Sequence, residues 1–232
     1  MPVDDSYTKI LLHMNGIDGS TTFTDESGKT WTAHGNAQID TAQSKFGGAS
    51  GLFDGSGDYL STPDHADFEL GSGNWTHDFW IRWINTGAAG TYPNLFAQRA
   101  DGNNYFTIYR SVDTNRLTVT QIDGGVIRWS FRANWTPSTG AWYHLAFIRN
   151  GNTPLIFVDG VGLTVTEDTT ISGKTAANIA SSATIGEWNG SAVLYANVDE
   201  YRVSNIARWT SDFTPPSGEY LGGVRDNFFP YF

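Results

Sequence analysis

The sequence contains no cysteine. Disulfide staples and thiolate metal sites are therefore excluded. Long apolar runs are missing too, and nothing approaches the roughly 18 residues of a membrane span. The opening "MPVDDSYTKI" is acidic where a signal peptide would be basic, and no apolar core follows it. That pattern predicts a chain without a secretion signal of the usual kind. Basic residues are scarce: 14 Lys and Arg stand against 24 Asp and Glu, for a formal net charge of -10. With a pI near 4.7, such a surface repels phosphate backbones, so nucleic-acid binding is disfavoured while neutral sugars and divalent cations remain compatible. There is no Gly-x-Ser-x-Gly elbow and no His-Glu-x-x-His motif. "GSG" at residues 55–57 is turn chemistry, without the following helix that a phosphate loop requires. The five histidines (His13, His34, His65, His77, His144) are scattered, and each reads as a surface or core residue rather than a ligand.

What the chain has instead is glycine and aromatics: 26 Gly, and Phe, Trp and Tyr at 14%. Aromatics favour strands, and Asp-Gly and Asn-Gly pairs favour tight turns. Helical periodicity is absent at length; only "NIARW" suggests one helical turn. "HDFWIRWIN" sets Phe79, Ile81 and Trp83 against Trp80, Arg82 and Ile84, largely apolar on both faces, which suggests a central strand. "RLTVTQI" and "GVIRWSFR" are joined by Asp123, Gly124 and Gly125, a hairpin signal. "NGNTP" joins "AWYHLAFIRN" to "LIFVDGV" as a second hairpin. More than ten short strands with regular turns predict a two-sheet antiparallel sandwich. At 232 residues a single core buries enough surface to fold without staples.

The blocks "LLHMNGIDGSTTFTDESGKTW", "AQSKFGGASGLFDGSGDYLSTPDHADFELGSGNWTHDFWIRW", "TGAWYHLAFIRNGNTPLIFVDGV", "ATIGEW" and "VDEYRVSNIARWTSDFTPP" closely resemble, in order and spacing, the laminin-G-like (concanavalin A-like lectin/glucanase) jelly-roll domains. They are especially near to those of phage and marine viral structural proteins. The resemblance runs from about residue 9 to residue 216. It implies an all-β, two-sheet antiparallel jelly-roll sandwich over residues 1–216, followed by a tail, 217–232, that would serve as a docking or oligomerisation segment. Leu52, Tyr59, Leu60, Trp142 and Leu145 are expected to anchor the core.

Glycosidases of this superfamily carry Glu-x-Asp-x-x-Glu on one strand, and retaining chemistry needs carboxyls roughly 5–5.5 Å apart. In "NVDEYRVSN", Asp199 takes the central place, but Asn197 and Arg202 stand where the glutamates would be. Strand alternation also separates Asp199 from Glu200, with Asp199 expected outward and Glu200 inward, paired with Arg202 or a backbone donor. The expectation is therefore not an enzyme but a lectin-like binding module. It would recognise host cell-surface glycans from a virion surface or extracellular position; the alternatives are a purely structural decoration protein and, less favoured, a polysaccharide-degrading enzyme. No membrane insertion is expected; partners would be glycans, other virion proteins through the tail, or further copies of the chain. Ligand candidates are loop residues offering aromatic faces and hydrogen bonds: Glu187, Trp188, Asn189, Tyr92, Asn94, Asp101, Asn103, Arg128 and Trp135. The resemblance also implies a structural Ca²⁺ at Asp25 and Asp199, completed near Asn15 and Asp18. The alternative is that Asp25 caps a turn and Asp199 accepts backbone hydrogen bonds.

Overall fold

A computed structural model describes residues 5–221. In chain order the strands are β1 (Thr8–Leu12), β2 (Thr32–His34), β3 (Gln38–Asp40), β4 (Ser50–Asp54), β5 (Tyr59–Thr62) and β6 (Trp75–Trp83). Next come β7 (Asn94–Arg99), β8 (Tyr105–Ser111), β9 (Arg116–Asp123), β10 (Val126–Asn134), β11 (Trp142–Asn150) and β12 (Thr153–Val158). The chain finishes with β13 (Val161–Gly162), β14 (Val165–Thr169), β15 (Ala183–Ile185), β16 (Glu187–Trp188), β17 (Ser191–Ala192) and β18 (Tyr195–Ser204). One sheet runs β13-β12-β11-β6-β18-β4-β3, with β1 also paired to β18; the other runs β14-β10-β9-β8-β7-β15-β5-β2. All the pairings are antiparallel, and β16 and β17 form a separate ribbon. This is the expected sandwich.

Alternation builds the core. Phe79, Ile81 and Trp83 of β6 face Phe106 and Ile108 of β8, Val119 of β9, and Trp129 and Phe131 of β10 across the two sheets. Fully burying each such side chain contributes roughly 1.5–3 kcal/mol. The Asp123-Gly124-Gly125 hairpin forms as expected, Val126 pairing Asp123, and Asn150 pairs Thr153 around the second turn. Leu60 and Leu145 reach the core, whereas Leu52, Tyr59 and Trp142 are only half buried. Trp142 is three residues from Leu145 and so lies on the opposite side of β11, beside Trp80 and Leu11. Tyr59 stacks on His34 at the sheet edge instead, with ring centroids 4.1 Å apart.

The first sheet is covered on its outer side as well. Residues 205–221 cross it, and Trp209 and Phe213 stack at 4.0 Å over Ala146, Ile148 and Phe157. Tyr220 packs on Leu11 and Trp80. This cover explains why the outer side of β6 is buried too, at Thr76, Asp78 and Trp80. It also displaces the helical turn expected at "NIARW". Thr76 Oγ1 donates to Ile206 O at 2.7 Å and accepts from Arg208 N at 3.1 Å. The backbone groups a helix would use are spent on β6. The expected tail begins within this cover, but its residues 222–232 lie outside the described ones.

Candidate functional site

The outer side of the second sheet carries an open cleft of about 190 Å³ lined by Tyr92, Asn94, Tyr105, Thr107, Tyr109, Thr120 and Trp188. Its floor follows from alternation in β8. Phe106 and Ile108 enter the core, so Tyr105, Thr107 and Tyr109 project outward. Trp188 comes from the β16–β17 ribbon, whose turn residues Asn189 and Gly190 both have positive φ. Glu187 holds that turn by accepting from Gly190 N. Trp188 meets the Tyr105 ring edge-on at 4.6 Å, and the Arg99 guanidinium lies 5.5 Å from its ring centre. Tyr92 meets Tyr109 at 5.9 Å.

The polar groups of the cleft are uncharged and oriented. Asn94 Nδ2 donates to Tyr92 O at 3.0 Å, and Asn94 Oδ1 accepts from Thr107 Oγ1 at 2.5 Å. Thr120 and Ser130 share a hydroxyl bond of 2.9 Å. Burial raises the Tyr105 and Tyr109 phenols above their ordinary value, so both keep their protons. The lining contains no carboxylate. Rigid aromatic faces beside fixed amide and hydroxyl groups suit a ligand with both C–H faces and hydroxyls.

The concanavalin A-like lectin/glucanases superfamily matches residues 54–212. The chain belongs to this superfamily. No curated protein matches it. Among solved structures, the binding domain of Paraclostridial Mosquitocidal Protein 1 superposes with a TM-score of 0.65 at 15% identity, covering 87% of this chain and 49% of that one. Domain 4 of AbnA, a GH43 extracellular arabinanase from Geobacillus stearothermophilus in complex with arabinotriose, gives 0.60 at 17%, covering 87% and 95%. The binding domain of Botulinum Neurotoxin DC in complex with SialylT gives 0.60 at 14%, covering 87% and 48%. The chain thus spans about half the length of the toxin domains it matches. At these identities the likeness is one of fold.

Within this jelly roll the sequence candidates divide. Tyr92, Asn94 and Trp188 meet in the cleft, flanked by Glu187 and Asn189. Asp101 and Asn103 belong to the β7–β8 loop, where Asp101 Oδ1 accepts from Asn103 N at 2.7 Å and Asn103 O from Gly125 N at 2.9 Å. Arg128 pairs with Asp123 on the rim of the β9–β10 hairpin. Trp135 is elsewhere, its ring against Tyr143 at 5.1 Å. Tyr109, Thr107 and Thr120 were not candidates. The Tyr-x-Thr-x-Tyr alternation of β8 was the signal for two of them.

The "NVDEYRVSN" stretch sits on the other sheet. Ala196, Val198, Tyr201 and Val203 face the core, so alternation changes parity between Val198 and Tyr201. A bulge there, between Asp199 and Arg202, puts Glu200 at φ +52. Asp199 takes the outer side of the sheet as expected, though fully buried there; the inward Glu200 is corrected, since it too is buried on that outer side and not in the core between the sheets. Asp199 Oδ2 accepts from Lys45 N at 2.7 Å and Phe46 N at 3.0 Å, while its Oδ1 is buried without a partner. Burial pushes this carboxyl up to about 7, against the pull of those backbone donors. Glu200 accepts from Tyr220 N at 2.7 Å and from His13 Nδ1 at 2.8 Å. Of its two expected partners the backbone donor is therefore the one found, while Arg202 binds Asp78 through two bonds of 3.0 and 2.8 Å. Burial alone would raise Asp78, but Arg202 and His144 hold it well below the usual carboxylate range. Asn197 Nδ2 donates to Asp40 at 3.1 Å.

Of the calcium candidates, Asp25 accepts from Leu11 N, Ser27 N, Ser27 Oγ and Trp31 Nε1 at 2.6–3.0 Å. Asp18 Oδ1 accepts from Thr41 N at 3.0 Å. Asn15 Nδ2 donates to Glu219 at 2.5 Å. Among the described residues, Asp18, Asp25 and Asp199 do not converge as a set of ligating atoms.

Proposed function

We propose that this domain is a non-catalytic lectin-like module that binds neutral glycan segments in the cleft of Tyr92, Tyr105, Tyr109 and Trp188. The observation that carries the reading is the cleft itself: four aromatic side chains around oriented, uncharged polar groups. Sugar rings present axial C–H groups to aromatic faces and hydroxyls to amides, and the cleft offers both. The arabinotriose and SialylT complexes of two structural neighbours are in keeping with it. The resemblance to phage and marine viral structural proteins favours a place on a virion surface, facing host glycans.

A glycan array, run with and without calcium, tests this. Binding by the native chain that is clearly weakened in Tyr105→Ala and Trp188→Ala supports the reading. No binding in either condition, or binding indifferent to both substitutions, refutes it. A second reading is assembly, favoured by the cover of residues 205–221, which brings the C-terminal part of the chain onto the first sheet. Deleting residues 222–232 and measuring mass by light scattering tests it for self-assembly, and an unchanged mass would sink it.

A further inference from the structure

The outer side of the first sheet holds a second polar centre, remote from the cleft. His13, just after β1, Glu200 in the β18 bulge and Glu219 in the C-terminal cover bring one ligating atom each within 4.8 Å of one another. His13 Nδ1 lies 2.8 and 2.9 Å from the two Glu200 oxygens. Glu200 is fully buried, His13 half buried and Glu219 exposed. We propose that these three side chains form a site for a divalent transition-metal ion, Zn²⁺ by preference.

The donor set argues for that class. One imidazole nitrogen and two carboxylates suit zinc and its neighbours, whereas Ca²⁺ takes six to eight oxygens and no nitrogen. The charges argue for a cation. Among the described residues neither glutamate has a Lys or Arg partner, and His13 is the one ionic partner of Glu200. A carboxylate buried beside a second one needs positive charge at hand.

The surroundings orient the ligands as outer groups do around metals. Tyr220 N donates to Glu200 Oε2 at 2.7 Å, and Asn15 Nδ2 to Glu219 Oε1 at 2.5 Å. Gly47, at φ +59, leaves the room: a Cβ there would come within 2.1 Å of Asn15 Oδ1 and 2.5 Å of Glu219 Oε1. The left-handed backbone of Glu200 turns its side chain to this side of the sheet. On the exposed side, beyond Glu219, water completes the coordination. Bound metal would tie the end of β1, the last strand and the C-terminal cover into one cross-link.

The test is titration of the full chain, stripped with EDTA, by ZnCl₂ and separately by CaCl₂, read by calorimetry and thermal unfolding. Zinc should bind saturably, one per chain. It should raise Tm by about 5–10 °C at free zinc about 100 times the Kd. Glu219→Gln, at an exposed position, should keep the metal-free Tm and weaken zinc about tenfold or more; His13→Phe should abolish the site. The visible absorption of a Co²⁺ complex should shift in Glu219→Gln. Absence of saturable zinc binding, equal affinity in both variants, or stabilisation by calcium but not zinc would overturn the assignment.

Discussion

His77 gives the sharpest test of how the sandwich core is held. It faces inward from β6, its ring 4.6 Å from Phe96, 5.7 Å from Trp75 and 5.8 Å from Phe106. Neither ring nitrogen has a hydrogen-bond partner. Burial pulls its pKa down from 6.5 to about 3. The folded chain therefore keeps His77 neutral where the unfolded chain protonates it. The stability tied to neutral His77 is complete above pH 6.5 and is lost as pH falls toward 3. At about pH 4.5 the unfolded state sits two pH units below its own pKa, at about 1.4 kcal/mol each, so the loss is about 2.7 kcal/mol. Phe fills the same space without nitrogens. His77→Phe should hold or raise stability at about pH 7, because two unpaired polar atoms leave the core. It should also be less acid-sensitive than the native chain by about 2–3 kcal/mol between the two pH values. Urea unfolding of both proteins at both pH values measures this. Asp199, with its raised pKa, pulls in the opposite sense, since the folded state holds its proton; comparing the two proteins cancels that term. Equal pH dependence in both would refute the account of a neutral, unpaired core histidine.

Replacing Trp188 with Ala should weaken glycan binding about tenfold, the size of one stacking contact, with unfolding unchanged; titration calorimetry reads both. Arg202→Ala strands the buried Asp78 carboxylate, and should cost about 3–5 kcal/mol by urea unfolding, while the joint exchange Arg202→Met with Asp78→Leu should recover most of it. Gly160 has φ +78, and a Cβ there would lie 1.8 Å from Phe213 O. Gly160→Ala should therefore cost at least about 1–3 kcal/mol in the same assay and loosen the 205–221 cover, read as faster amide exchange there.

The fold was legible because its code is local. Period-two alternation in β6 and β8, and glycines at turns such as 124 and 125, each specify a strand or hairpin from a few neighbouring residues. The superfamily blocks then set their order. The candidate cleft was legible only in part. Tyr92 and Trp188 stood out as loop aromatics, but Tyr109 lies inside a strand, and its outward face depends on which side the core occupies. Trp135 looked equivalent in sequence and packs on Tyr143, because exposure is decided by the element opposite. The direction of Glu200 was misread for a different reason. One extra residue in β18 changes the parity of everything after it, and no residue type announces a bulge. His13, Glu200 and Glu219 are separated by up to 206 positions (219 − 13), so no spacing could group them.

The covered first sheet has a directional consequence. The cleft opens from one broad side of the sandwich, while residues 205–221 lie along the other. A body gripping the molecule by its covered side would leave the aromatic side facing away, like the boss of a shield. Many copies held that way would point their clefts into the same half-space, and weak single contacts would sum by avidity.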